Sequence, residues 1–542
     1  MTAQNTHLSS ENNQNDDTKK IGLFYGDGRA QEVAGFVESI AHTVNEYRNR
    51  NALEVDRLYF NADYYLKHGE SWPAGTPKEL KEKFDAFALT ALGDSRVPGT
   101  MAHAKPIILD FLRGNALNDS PDSLFTNYNR RPCKLWHPSL GKDPIRENFG
   151  FELHVIPESG FRVEEVVSKE NPNEEVLVKE YHSVESYVAL VDKVAKGAID
   201  RGESIAVVLK SNVYTFAHLP VEKALKERYA EENDAYAKAG KESFIRFYNA
   251  DAFCFEMVDH PERMPKHIVT DPVFGRLLKL GISSLNAGAL AKTPSDFYAE
   301  IGRESVAGQY ISAGEIIDPG QKQVGMQKHL HTERLIKANL RRAAEITVAQ
   351  GWIEMNVIHN GDLYPKTANL LERCAKQIGN EHAVIVNFIA ADEFFRRCVQ
   401  YPELLNQGVF TGDNLLGDIA SDTLAARSGG LGCAPSLSET TEGIRGDERN
   451  VYVEPVHGTA PNLPSNVINP TGMMASMGLL LEHYNFNAEA QALRSAITET
   501  IGIGVKTADM PIKEFETKTN TDIYGIAVMA RMKQKLGISK LH

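Results

Sequence analysis

The chain has 542 residues, 42% of them apolar and 24% charged, enough for two or three packed domains. Its formal net charge of −13 argues against nucleic acid or an anionic membrane as a partner. Cys133, Cys254, Cys374, Cys398 and Cys433 are odd in number and have no CxxC spacing, which argues against a disulfide framework or a zinc site and fits a reducing compartment.

Met1–Lys20 is rich in Asn, Ser and Asp without an apolar core segment, so it reads as a disordered tail rather than a signal peptide. No apolar run is long enough to span a bilayer, and the sequence predicts a cytoplasmic protein. Ile21–Tyr25 is an apolar strand, Gly26-Asp27-Gly28 a turn, and Val33–Arg48 has helical spacing, which together make an α/β opening. A lone Gly-Asp-Gly does not specify a nucleotide, because glycine at such a turn is often required by backbone geometry alone. Ala86–Gly93 is a second buried strand.

Alternating helices and strands then run through two similar stretches, separated by a polar, Gly-bearing segment near Gly281–Thr293. From about Val409 the chain returns to α/β material with the glycine run Ser428–Gly432 and the loop His457–Pro461. The expected architecture is α/β: a large domain split between residues 21–145 and 409–542, with two smaller α/β repeats, 146–290 and 291–408, inserted in tandem.

The repeats are legible residue by residue. Ala250-Asp251-Ala252-Phe253 with His260-Pro261-Glu262 recurs as Ala391-Asp392-Glu393-Phe394 with Tyr401-Pro402-Glu403, at one constant spacing. Strands are predicted in each copy before the match, within Ser204–Asn212 and Ile353–Asp362, and after it, within His267–Gly275 and Val409–Gly417. The first copy has Lys210-Ser211-Asn212 where the second has Asn360-Gly361-Asp362. The second has Asp418 and Asp422 where the first has Arg276 and Leu280. Each copy therefore keeps polar groups that the other has lost.

Asp418 and Asp422, four apart at the start of a predicted helix, put two carboxylates on one face, one turn apart. Hard oxygen ligands so placed suit Mg²⁺ or Mn²⁺; the bland alternative is a pair of acids favoured by the helix dipole. Lys210 ends the apolar run Ile205–Leu209, where desolvation can lower an amine's pKa toward a general base's range, although most strand-end lysines are simply solvated. Arg303 and Tyr310 offer a carboxylate fork and a phenolic acid, or a surface arginine and a packed ring. Arg113 and Arg131 flank the insertion-like loop Gly114–Ser123 and could converge on a dicarboxylate. His457 could line an adenine or ribose pocket, or be incidental.

Asn414–Asp422, the Ser428–Pro435 glycine run and Glu454–Pro461 up to Asn469-Pro470 closely resemble the β-decarboxylating isocitrate and isopropylmalate dehydrogenases, as do Ile21–Val33, Ala91–Pro98 and Tyr128–Pro132. The resemblance covers nearly everything from about residue 20 onward. It implies that family's large domain and a site which two subunits normally build together. Carried over by motif, one subunit's share is Arg303, Tyr310, Asp418 and Asp422, with Arg113 and Arg131 of the large domain. The partner's share, Lys210 and Asp251, lies here in the first copy. A fused pseudo-dimer with one complete site per chain is the expectation, and as a functional monomer it could still assemble further. Asp392 is then a fossil or structural residue.

The resemblance further implies NAD-dependent oxidation and decarboxylation of a small hydroxyacid. Asp251, Asp418 and Asp422 would hold Mg²⁺ or Mn²⁺, Lys210 and Tyr310 would move protons, and Arg113, Arg131, Arg303 and Asn212 would contact substrate. His457, Gly458, Thr459, Ala460, Asn462 and Asn469 would contact the cofactor. NADP-dependent relatives place a lysine and tyrosines around the 2′-phosphate; Asn462, Leu463 and Ala508 stand here instead, so NAD is favoured, although the aspartate typical of NAD forms is also absent. Ile107 and Leu109 replace the serine and asparagine of isocitrate enzymes, which tilts the substrate toward isopropylmalate, whereas Asp110 does not fit that pocket. The rival reading is a non-catalytic regulatory homologue.

Overall fold

The computed structural model describes residues 18–94, 96–97, 102–104, 106–112, 127–170, 173–305, 307–317, 323–440, 451–461, 463–512 and 516–538. Its strands are β1 (Lys19–Phe24), β2 (Leu53–Leu58), β3 (Ala86–Leu89), β4 (Asn127–Lys134), β5 (Glu152–Val155), β6 (Phe161–Glu170), β7 (Asn173–Ser183), β8 (Ile205–Leu209), β9 (Ile245–Asn249), β10 (His267–Thr270), β11 (Tyr298–Glu304), β12 (Gly308–Ile317), β13 (Val324–Thr332), β14 (Glu354–His359), β15 (Ile385–Ala390), β16 (Gly408–Gly412), β17 (Pro435–Thr440) and β18 (Val451–Pro455). A short two-stranded pair completes the set near the C-terminus. Five helices position the site: α1 (Val184–Arg201), α2 (Ala250–Asp259), α3 (Pro272–Asn286), α4 (Ala391–Gln400) and α5 (Asn414–Arg427).

Ten strands form one sheet in the order β15-β14-β16-β11-β4-β17-β18-β3-β1-β2. A separate four-stranded sheet has the order β5-β10-β8-β9. All its neighbours are parallel, as are those of the terminal set β11-β16-β14-β15 in the large sheet. The two sets match in order and in register. Leu209 pairs with Asn249 as His359 pairs with Ala390, so Lys210 and Asn360 follow strands in like positions. Val155 pairs with Thr270 as Arg303 pairs with Gly412, which sets Val155 opposite in role to Arg303.

The elements follow from local chemistry. β8 is buried along its whole length, as an apolar run in a parallel sheet covered on both faces must be. Asp271 caps α3 by accepting from the Phe274 N–H at 3.0 Å, and Asp413 caps α5 by accepting from Leu416 at 2.7 Å. Helix α2 packs on α5, and α3 on α4. The second pair is close: a Cβ on Gly281 would fall 2.2 Å from the Phe395 ring. The hairpins β6–β7 and β12–β13 join edge to edge through β7 and β13, from Ser183↔Val324 to Glu175↔Thr332, and make a four-stranded clasp.

Several boundaries differ from the sequence reading. Lys19 and Lys20 belong to β1, paired with Leu53 and Glu54, so the expected tail to residue 20 ends earlier. Residues 281–286, expected to lie in the polar stretch that separates the two copies, complete α3, because buried Ile282 and Leu285 continue its apolar face. The large sheet runs unbroken past the expected boundary at 408/409: β16 lies between β14 and β11. Ile145 bridges Leu290, so the chain enters and leaves the first small unit at adjacent points.

Candidate active site

The site lies where α2 and α5 meet. Lys210, 1% exposed, leaves β8 and extends its Nζ to Asp251 Oδ2 at 2.6 Å and Asp418 Oδ2 at 3.0 Å. Asp251 opens α2 directly after β9, and Asp418 lies one turn into α5. Lys210 and Asp418 stand 208 residues apart in one chain. Tyr310 on β12 donates its hydroxyl to Asp418 Oδ2 at 2.5 Å, and its ring lies under Arg303, with the guanidinium carbon 4.8 Å from the ring centre.

Two arginines complete the cluster. Arg303, buried at the end of β11, donates to Asp418 and, through Nε, to Asn414 Oδ1 at 2.8 Å. A Cβ on Gly417 would meet Arg303 Cβ and Cγ at 3.0 Å, so glycine lets α5 come this close to β11. The corresponding Gly275 packs instead against Val155. Arg131 on β4 donates to Ser421 Oγ at 2.7 Å and lies 3.4 Å from Asp418 Oδ1 and 3.6 Å from Asp422 Oδ1. Arg113 and Asn462 lie outside the described residues.

Three carboxylates, Asp251, Asp418 and Asp422, share the site with three cations, Lys210, Arg303 and Arg131, which all converge on Asp418. Burial opposes the charge on Asp418, but Arg303, Lys210 and Arg131 hold its carboxyl well below the ordinary value. Asp422 goes the other way: burial first, then Asp418 and Asp251, push it up to about 7. Asp251 Oδ1 is buried without a hydrogen-bond partner. Burial first, and Asp418 next, raise the Tyr310 phenol. The expectation of a depressed lysine is corrected: burial does lower Lys210, but Asp418, Tyr310 and Asp251 outweigh it and hold its ammonium well above the ordinary lysine value.

An orphaned carboxylate oxygen beside an acid driven toward neutrality fits a divalent cation of hard character, and Asp251, Asp418 and Asp422 are the residues that could hold one. Asn212 lies exposed two residues beyond Lys210. Asp392, which opens α4, lies at the second unit's counterpart position, with Asn360 in place of the lysine.

At the expected cofactor loop, Thr459 Oγ1 donates to Gly93 O at 2.8 Å and Thr459 O accepts from the Arg29 N–H at 3.0 Å. This loop thus closes over the turn after β1, where Gly28 has φ +55° and a Cβ would meet Thr459 O at 2.8 Å. Gly458 is exposed, His457 and Ala460 partly so, and His457 Nδ1 lies 2.9 Å from Gly458 O. Asn469 is buried, and its amide nitrogen donates to Asp509 Oδ2 at 3.0 Å.

Sequence reasoning missed Ser421, Asn129, Asn414 and Asp27. Asn129 Oδ1 accepts from Arg131 Nε at 3.2 Å. Asp27 receives the N–H groups of Ala62 and Gly93 at 2.7 and 2.8 Å and faces His103 Nε2 at 2.7 Å, so it ties together the loops that follow β1 and β3. Its place between two glycines in a turn was the available signal. A separate cavity of about 50 Å³ beside the site is lined by Asn360, Tyr364, Ala368 and Asp413, among others, but not by Lys210, Asp251 or Asp418. In the first unit His218 stands where Ala368 does here, stacked on Tyr214 at 4.7 Å.

Comparison with known proteins places the second half of the chain. Residues 295–528 match the family model described as isocitrate/isopropylmalate dehydrogenase. This segment belongs to the isocitrate/isopropylmalate dehydrogenase family. Among the relatives of this segment, isocitrate dehydrogenase [NAD] subunit 2, mitochondrial, of Schizosaccharomyces pombe is 29% identical over 246 residues, which is 45% of this chain and 61% of that one. The 3-isopropylmalate dehydrogenase of Ruegeria pomeroyi is 29% identical over 242 residues, 43% of this chain and 64% of that one. The chain thus spans less than two thirds of the length of these relatives. An isocitrate dehydrogenase structure from Methylococcus capsulatus superposes with a TM-score of 0.55 at 14% identity, covering 95% of this chain and 100% of that one, and so shares the fold. The TT0538 protein of Thermus thermophilus gives a TM-score of 0.52 at 17% identity, covering 96% of this chain and 69% of that one. The dehydrogenase match begins after Lys210 and Asp251, which the fold nevertheless brings to Asp418.

Proposed function

We propose that the protein is a β-decarboxylating dehydrogenase that oxidises a small 2-hydroxy dicarboxylic or tricarboxylic acid, with NAD as the hydride acceptor and Mg²⁺ or Mn²⁺ as the bound cation. The observation that carries this reading is the meeting of Lys210, Asp251, Tyr310 and Asp418 in one side-chain cluster of one chain. The matched strand orders of the two small units support a tandem duplication, in which the first unit supplies Lys210 and Asp251 and the second supplies the rest. On this reading the functional unit is a monomer, and the expected compartment is the cytoplasm.

A divalent cation held by Asp251, Asp418 and Asp422 would supply Lewis acidity toward the hydroxyl and carboxylate oxygens of the substrate. Once Asp251 and Asp418 are engaged elsewhere, Lys210 releases its own proton to solvent and, as the free amine, takes the hydroxyl proton through water. A nicotinamide cofactor bordered by His457–Ala460 and Asn469 would supply the acceptor for the hydride of that carbon. The bond to the β-carboxylate then breaks, carbon dioxide departs with that carbon, and the electron pair remains as an enolate. Tyr310 returns a proton to carbon. Arg131 and Arg303, now turned on Asp418, exchange that contact for the substrate's carboxylates, with Arg113 as a third clamp and Asn212 at the rim. His457–Ala460, Asn462 and Asn469 border the cofactor.

The test is a panel of 2-hydroxy diacids, isopropylmalate and isocitrate among them, assayed for reduction of NAD and of NADP with Mg²⁺ or Mn²⁺. Turnover with at least one member and NAD is expected. No turnover with any member favours the rival, a non-catalytic regulatory homologue.

A further inference from the structure

At the far end of the first small unit from Lys210, three side chains converge without a bonding arrangement of their own. Glu152 and His154 alternate on β5, the edge strand of the four-stranded sheet, and so point to one face. His267, at the start of β10, is in register with Glu152. His154 Nε2 lies 3.6 Å and His267 Nδ1 3.4 Å from the same oxygen, Glu152 Oε2. All three donor atoms lie within 4.8 Å of one another. Both imidazole nitrogens are buried and neither makes a hydrogen bond.

The distances separate two explanations. An N–H···O bond places its heavy atoms about 2.7–3.2 Å apart, closer than either contact here. Donor atoms held about 2.1 Å from a tetrahedral ion are about 3.4 Å from one another, the edge of the coordination tetrahedron. The observed spacings match the second pattern. Behind the cluster, His267 Nε2 lies 2.9 Å from Glu203 Oε2 and 2.7 Å from Arg201 Nη2. Arg201 only donates and Glu203 only accepts, so Nε2 bonds one of them at a time; the metal-binding tautomer is the one with the proton on Nε2 given to Glu203, which leaves the Nδ1 lone pair facing Glu152 and His154, the carboxylate–histidine arrangement that orients metal-binding imidazoles.

We propose that Glu152, His154 and His267 form a second metal site, for Zn²⁺ or a similar transition-metal dication, with Glu203 as its positioning residue. Two imidazoles and one carboxylate select such an ion over Mg²⁺, which prefers oxygen ligands. The site joins the edge strand to the segment that follows α1. β8 runs its full length between this end and Lys210, roughly 15 Å away, so the ion braces the first unit and touches no reacting atom.

Co²⁺ serves as the probe, added to the full chain in excess Mg²⁺. The expected result is one equivalent of intense visible absorption, characteristic of four-coordinate Co²⁺, which Zn²⁺ abolishes. Glu152→Gln, at an exposed side chain that the fold tolerates, and His154→Ala each remove the band or weaken binding by at least tenfold. Glu203→Gln weakens it by about 10–100-fold. Asp418→Asn leaves it intact, which separates this site from the three-aspartate cluster. Absence of the band in the parent protein, or a band unchanged in both Glu152→Gln and His154→Ala, overturns the proposal; so does its loss in Asp418→Asn alone.

Discussion

Asp422 offers the most direct test of whether the carboxylate cluster is built for a cation. Its carboxyl is pushed up to about 7 by burial and by Asp418 and Asp251, whereas in an unfolded chain it would titrate near the usual aspartate value of about 3.9. Between those two values the folded, metal-free protein holds a proton that the unfolded chain has released, so stability falls as pH rises through this window and levels off above about 7. Three units at about 1.36 kcal/mol each set an upper bound near 4 kcal/mol, and neighbouring charges share it, so a loss on the order of 2–4 kcal/mol is expected. Asp422→Asn removes the titrating group and keeps an oxygen for the Ser421 hydroxyl. Urea unfolding in EDTA, followed by tryptophan fluorescence from pH 4 to 8, should show the variant gaining on the parent as pH rises, with little difference at the acid end. With Mg²⁺ the gap narrows or closes: at a hundred times its Kd the ion stabilises the parent by about 2.7 kcal/mol, while the variant has lost a ligand and gains less. Identical pH slopes for the two proteins in EDTA, or a parent indifferent to Mg²⁺ and Mn²⁺, would refute the electrostatic reading.

Other outcomes follow from the same geometry. Lys210→Ala and Tyr310→Phe should each lower kcat by about 10²–10⁴, measured by NAD reduction, and mixing Lys210→Ala chains with Asp418→Asn chains should restore nothing, since each site draws on a single chain. Gly417→Ala drives a methyl against Arg303 and should raise KM for the hydroxyacid about tenfold while leaving KM for NAD unchanged. Arg427, fully buried, donates to the carbonyls of Cys398, Val399 and Ala291 at 2.5, 2.6 and 2.7 Å. Arg427→Ala leaves the Cys398 and Ala291 carbonyls without this donor, while Val399 keeps the Ala291 N–H at 2.9 Å, and should cost about 3–5 kcal/mol in chemical denaturation.

The parts of the site that were legible in the sequence are those fixed by local spacing. Asp418 and Asp422 announce themselves as one face of a helix, and Ala-Asp recurs at the start of α2 and α4, the recurrence on which the proposed repeat rests. Lys210 could be placed at a strand end, but its charge state could not: the two carboxylates that hold its proton come from other elements, one of them 208 residues away. The same limit hid the partners of Arg131, because β4 enters the large sheet antiparallel between β11 and β17 and no local pattern specifies that insertion. Glu180 is a further case. It is fully buried in the clasp, where burial opposes its charge but His329 and His182 hold the carboxylate below its ordinary value. A polar residue on a hairpin strand reads as solvent-facing until a second hairpin from the other unit covers it.

The clasp and the packing of α2 on α5 make the meeting of lysine and aspartate an intramolecular event. In such an arrangement dilution cannot separate the two halves, and specific activity should stay constant down to the lowest assayable concentration. On the proposed duplication each unit is also released from serving both roles at once; Val155 stands at the position that Arg303 holds in the second unit, and Asn360 at the position that Lys210 holds in the first.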